Sequence, residues 1–304
     1  MNKLSIDTML SCLADFAIHV VGDKTGKEVV RLSAPDRADC ETLIWIASGR
    51  ADAEKLIAAS KAKVIICDAD VKTDIFPEKF FIITDQPKLV FLRIGNTFFQ
   101  EKPTPGIHPT AMIHPEAKID PTAVVGPYVY IGRSEIGAGT VLEGHNYVYD
   151  QVILGNNVTI LAGCHLGAPG LGHIYNEKGE YENFPHIGRV IIGDDVEIGV
   201  HSSVAKGALA DTIIGQGCKI DCHVQIGHNV VLEEDVLVMA NSMIGGSSRI
   251  KKKAVIAMSV SIADYVTIGE SVHVGPGAVV VANVDNNQKV FARPAMVMPA
   301  KHRN

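Results

Sequence analysis

Residues 214–280 read, in blocks of six, IGQGCK IDCHVQ IGHNVV LEEDVL VMANSM IGGSSR IKKKAV IAMSVS IADYVT IGESVH VGPGAV V. Each block opens on an aliphatic residue: Ile214, Ile220, Ile226, Leu232, Val238, Ile244, Ile250, Ile256, Ile262, Ile268, Val274 and Val280. With roughly one residue in four aliphatic, such a run arises by chance about once in ten million. A helix repeats every 3.6 residues and a strand every two, so neither accounts for a period of six. A parallel β-helix does. Each hexad forms one short flat side of a prism, and the opening aliphatic stacks inside.

The same spacing recurs upstream at Ile107, Ile113, Ile119, Val125 and Ile131, slips by one residue at Ile136, and resumes through Leu142, Val148, Leu154, Ile160 and Leu166. Glycine often follows the aliphatic (Gly126, Gly132, Gly137, Gly215, Gly227, Gly245, Gly269, Gly275), as a tight corner needs. Four residues after the aliphatic comes a small or β-branched residue such as Cys218, Val224, Ser242 or Ala254, suited to a narrow triangular interior. Three hexads make a coil of about 18 residues, rising by roughly one inter-strand spacing of 4.8 Å.

The register divides the chain. Residues 1–102 lack the hexad and read as a small α/β domain. Ile6, Met9, Leu13, Phe16 and Val20 have helical spacing, KVIIC (63–67) and FFIIT (80–84) read as buried strands, and 51–60 and 88–99 as helices. The prism occupies 103–281, interrupted once at 167–189 (GAPGLGHIYNEKGEYENFPHIGR), whose polar, glycine-rich content marks a projecting loop. The tail, 282–304, is expected to cap the open end and its unpaired strand edges.

Acids outnumber bases 34 to 28, giving a net charge of −6, which does not suit a nucleic-acid binder. The basic cluster Lys251-Lys252-Lys253 reads as a solvated corner, with docking of a diphosphate or acidic carrier protein as the sharper alternative. Six scattered cysteines form no CxxC pair, so reduced thiols in a cytoplasmic protein are expected. Asp7 and Asp15 interrupt the apolar start, so no signal peptide is read there, and no run approaches the length of a membrane span.

His228 stands out among twelve histidines. It lies two residues beyond the inward Ile226, on the outside of the prism, where imidazole serves as a general base near neutrality. The plain alternative is a surface histidine. Asp221 precedes it by about one hexad and is a candidate to orient the ring or hold a substrate amine.

The stretch IIGDDVEIGVHSSVAKGALADTIIGQGCKIDCHVQIGHNV (191–230) and the preceding GHIYNEKGEYENFPHIGRV resemble UDP-3-O-acylglucosamine N-acyltransferases and related nucleotide-sugar N-acyltransferases. Leu43-Ile44-Trp45-Ile46-Ala47 and Asp85-Gln86-Pro87 resemble that family's uridine-binding domain. The resemblance implies a left-handed β-helix, a homotrimer with active sites between subunits, and acyl transfer to a UDP- or dTDP-linked amino sugar. The donor it implies is acyl-CoA or acyl carrier protein, with no permanently bound cofactor and no metal. It assigns His228 as catalytic base, with Asp221 as its partner, and Trp45 to nucleobase stacking. Asn229, Tyr265, Phe184, His186 and Lys206 are expected on the acceptor. Gly245 or Gly246 is expected to supply an oxyanion N–H, with His273 on the donor side.

Several positions depart from the pattern. Ser203-Val204-Ala205-Lys206-Gly207 replaces Thr-Ile-Asp-Arg-Gly, Cys222 replaces an asparagine, Tyr265 stands where a second histidine is usual, and Ala51 falls near a missing tyrosine. The chain also ends soon after Arg293-Pro294-Ala295, without the family's helical extension. These departures favour another nucleotide-linked amino sugar, such as one from surface-polysaccharide synthesis, and acyl-CoA as donor. A competing reading is a metalloenzyme resembling γ-class carbonic anhydrases, with His223, His228 and either His186 or His201 as ligands. A third is a non-catalytic scaffold subunit.

Overall fold

The computed structural model describes residues 3–293. The chain divides into two compact units, Met1–Lys102 and Pro103–Asn304. In the first, Arg31–Leu32, Thr42–Trp45, Val64–Cys67 and Phe80–Ile83 lie parallel in that order, and His19–Val21 pairs antiparallel with the last. Helices Ala53–Ala59 and Pro87–Phe98 connect the strands, close to the spans read from sequence. The opening helix is shorter than its apolar spacing suggests. It runs only over Ile6–Ser11, while Val20 lies in a strand. Isolated turns, Leu13 N–H to Leu10 O and Phe16 N–H to Leu13 O, prolong the spacing without prolonging the helix.

The second unit is a left-handed parallel β-helix with faces of ten, nine and eight strands. Register along one face pairs Ile220 with Val238, Val238 with Ile256, and Ile256 with Val274, one coil of 18 residues apart. The slip at Ile136 is a shorter coil, with Ile119 paired to Ile136 and Ile131 to Val148. All twelve aliphatics of the 214–280 run are buried, and the prism core holds aliphatic and cysteine side chains without aromatics, as its narrow section requires. Ile107 is exposed, because in the first coil its outer side has no coil of this unit to pack on. Buried Ser202, Ser242 and Ser248 each donate to a backbone carbonyl and accept an N–H from the next coil.

The glycines after the aliphatics serve a different purpose from the one expected. The left-handed turn falls two residues later, at His201, His223, Asn229, Asn241, Ser247 and Tyr265 among others. The glycine is needed because coils approach closely: a Cβ on Gly245 would stand 2.6 Å from backbone atoms of the next coil.

The 167–189 interruption is a β-hairpin, His173–Tyr175 paired with Tyr181–Asn183, after which Val190–Ile192 rejoins the prism beside Val152–Leu154. A second interruption escaped the sequence reading. The inward residues Ile192, Ile198 and Val204 keep the hexad, but the next, Ile214, comes ten positions later, leaving four extra residues around 207–210. Of the tail, Val284 bridges to Ile268 and Lys289–Val290 adds to the ten-stranded face. The remainder of the expected cap, 294–304, lies outside the described residues. Among those residues no helix is long and apolar enough to cross a membrane. The 251–253 cluster lies at a corner beside Glu233 and Glu234.

Candidate active site

His228 follows the strand Gln225–Ile226 and opens the corner between the nine- and eight-stranded faces. It is half-buried, and the next residue, Asn229, adopts the left-handed conformation (φ 59°) that asparagine tolerates well. Asn229 is held by the four-residue insertion and by the strand that follows it, Thr212–Ile214. Its Oδ1 accepts the Ala208 N–H at 3.0 Å, its Nδ2 donates to Ala210 O at 3.0 Å, and its N–H donates to Thr212 Oγ1 at 2.9 Å.

This arrangement decides the tautomer of the neutral imidazole. Asn229 Oδ1 already accepts a backbone N–H, so the 3.0 Å contact from His228 Nδ1 must be a donation. The proton sits on Nδ1, and Nε2 carries the lone pair. Nε2 lies against Gly246, where a Cβ would stand 2.8 Å away. Glycine at 246 therefore makes room for the ring.

A cavity of about 430 Å³ opens over His228, lined also by Asn229, Phe184, His186, Leu209 and Tyr265. Five of the residues singled out from sequence thus converge. His186 comes from the base of the hairpin and meets His228 edge to face, with ring centres 5.4 Å apart. Its Nδ1 donates to Phe184 O at 3.0 Å, so its Nε2 is also an acceptor, and among the described residues that buried nitrogen has no partner. Hairpin and insertion are tied together by Ile187 N–H to Ala208 O and by the Arg189–Asp211 ion pair. The guanidinium beside Asp211 holds its carboxyl below the usual range.

Other expected residues lie elsewhere. Lys206 lines an adjoining cavity on the far side of His186. Asp221 does not touch the imidazole within the chain. Its carboxylate accepts the Cys222 N–H at 2.7 Å and faces a groove on the ten-stranded side with Lys219, Leu237 and Met239. The imidazole's partner is Asn229, a residue whose orienting role the sequence reading missed. Gly245 and Gly246 do not offer free oxyanion donors. Gly245 N–H donates to Ile262 O at 2.8 Å, and Gly246 N–H to the Asp264 carboxylate at 2.5 Å. His273 sits on the ten-stranded face beside Phe291. His223 stacks on His201 at 5.5 Å, at a different corner from the His186–His228 pair, so these histidines do not come together within one chain. In the first unit, Trp45 contacts Phe91 and lines a cavity of about 330 Å³ with Ser48, Asp85 and Gln86 at the carboxyl end of its strand.

The family model of the GMPPB C-terminal domain matches residues 209–303. The UDP-3-O-acylglucosamine N-acyltransferase of Pseudomonas fluorescens is 32% identical over 264 residues, 80% of this chain and 74% of that protein. The enzyme of the same name from Coxiella burnetii is 32% identical over 214 residues, 64% of this chain and 62% of its own. Among solved structures, Francisella novicida UDP-N-acetylglucosamine acyltransferase aligns with a TM-score of 0.57 at 24% identity, covering 62% of this chain and 67% of that one. The Arabidopsis enzyme gives 0.51 at 23% identity, covering 62% and 71%. These two bear on the fold alone, and they share it. By the extent of its sequence identity with the Pseudomonas enzyme, the protein belongs to the UDP-3-O-acylglucosamine N-acyltransferase family and is an acyltransferase.

Proposed function

We propose that the chain moves an acyl group from a thioester, carried by CoA or an acyl carrier protein, to the amino group of a nucleotide-linked amino sugar, with His228 as general base. One observation carries this reading: Asn229 holds the neutral imidazole with its proton on Nδ1, and at the wall of the cavity the Nε2 lone pair has no hydrogen-bond partner among the described residues. The amine nitrogen attacks the thioester carbonyl carbon and Nε2 takes the amine proton. Collapse of the tetrahedral adduct then breaks the C–S bond, and the thiolate leaves with the proton from the imidazolium. The apolar wall of Leu209 and Tyr265 suits the acyl chain.

Asp221 stands at another corner of the prism, so it reaches this imidazole only from a neighbouring subunit. In this reading its role depends on the trimer that the resemblance implies. Trp45, in its own cavity, serves the nucleobase. The test is thiol release from acyl-CoA and acyl carrier protein, each crossed with UDP- and dTDP-amino sugars. His228→Ala should lower turnover by about 10²–10⁴-fold with an unchanged circular dichroism spectrum. Near wild-type turnover in that variant sinks the assignment.

A further inference from the structure

A second cavity, about 390 Å³, shares the His186 wall and is lined by Tyr130, Tyr147, Tyr149, Asp150, Pro169 and Lys206. Its floor is an aromatic ladder. Tyr130, Tyr147 and His165 occupy one parallel register on the nine-stranded face, with Tyr130 stacked on Tyr147 at 4.3 Å and 20°. Tyr149, two residues on, tilts against Tyr147 at 4.5 Å. Rings in this arrangement present flat apolar faces edged by hydroxyls, a surface that takes the C–H face of a sugar ring and hydrogen-bonds its substituents.

The charge of the cavity is unbalanced. The Asp150 carboxylate is taken by Arg133 of the neighbouring coil, through its backbone N–H and its guanidinium. Lys206 is half-buried, and among the described residues its ammonium has no carboxylate within ion-pair distance. A half-buried lysine without a counter-charge is a place for an anion, and an ammonium is a compact point charge suited to phosphate. Lys206 also lies close to the chemistry. The strand before it, Ser203–Ala205, pairs with Gln225–Ile226, the strand that leads into His228, so the two corners are one coil rise apart, about 4.8 Å.

We propose that this tyrosine–lysine cavity binds the sugar-1-phosphate portion of the acceptor, with Lys206 on the phosphate and the Tyr130–Tyr147–Tyr149 ladder against the ring side that carries it. The inference rests on the acceptor reading above. In a 2-amino sugar the anomeric carbon adjoins the amine-bearing carbon, so an amine at His228 sends its phosphate into the adjoining space. The cavity across His186 is that space, and its only unpaired charge among the described residues is positive.

Glucosamine 1-phosphate, which has no base to occupy the Trp45 cavity, is the direct probe. Titration of the full chain followed by ³¹P NMR should show broadening of the phosphate signal. Lys206→Met and Tyr147→Leu should each weaken binding by about 10-fold or more, the size of one charge-assisted or stacking contact. In steady state, Lys206→Met should raise the acceptor KM by a similar factor while leaving the donor KM unchanged. Unaltered binding of the probe in both variants overturns the assignment, as does a rise confined to the KM for acyl-CoA, which would assign the cavity to the donor's phosphates. If the probe binds through Lys206 and no amino sugar is acylated, the acceptor reading fails while the phosphate subsite stands.

Discussion

Replacing Asn229 with glycine isolates what holds the catalytic candidate in place. Glycine keeps the left-handed backbone at φ 59°, so the corner itself is not strained. The change removes three side-chain hydrogen bonds: from Ala208 N–H, from His228 Nδ1 and to Ala210 O. At about 1 kcal/mol each, the loss is roughly 3 kcal/mol. For a unit of this size that corresponds to a fall of about 6–12 °C in Tm. Activity should suffer beyond stability. Without Oδ1, the imidazole proton distributes over both nitrogens and the ring turns more freely, so Nε2 is less often an aligned acceptor. A decrease of about 10–100-fold in kcat is expected at a temperature where the variant is fully folded. Asn229→Asp keeps an acceptor for Nδ1 while losing the Nδ2 donor, and should retain more turnover than Asn229→Gly. The assay is thiol release from the acyl donor, paired with thermal unfolding by circular dichroism. Wild-type kcat in Asn229→Gly refutes the argument that Asn229 sets the tautomer.

The ion pair joining hairpin to insertion makes stability depend on acid. Arg189 holds the Asp211 carboxyl below its usual range, so its contribution is present above the unfolded value near 3.9 and disappears as pH falls through the lowered native value. The Tm difference between the wild type and Asp211→Asn should hold from neutrality to about pH 5 and shrink as pH falls on through the lowered native value; a constant difference under increasing acid contradicts the linkage. Burial pushes the Cys67 thiol up to about 12 and those of Cys164 and Cys218 to about 11. With a thiol-reactive dye at pH 8, exposed Cys40 should react in the native protein, and these three only after unfolding. Rapid native labelling of Cys164 or Cys218 would mean that the prism opens.

The period-six pattern made the prism legible because burial there repeats with the local chain. Each hexad sends one aliphatic inward, whatever the distant sequence does, so Ile214 to Val280 announce their own environment. The 167–189 interruption was legible as a departure from that regularity, and His228 by its place within it, two residues beyond an inward aliphatic. The small insertion was visible in principle, since Val204 and Ile214 stand ten apart rather than six.

What the residues alone determined is therefore the scaffold, the unit boundary and the position of the candidate base. Tertiary structure decided how that base is wired. Asp221 is near His228 in sequence, yet a coil turns a corner with each hexad, which carries the two to different edges of the prism. Asn229 instead meets Ala208 and Ala210, some twenty residues earlier, because one coil brings them level. Gly246 comes to lie beside the imidazole for the same reason, one coil beyond it. Spacing along the chain reports which side of a repeat a residue faces. Which residue meets it from the next coil depends on coil length, and the insertions change that length only where the chain has folded.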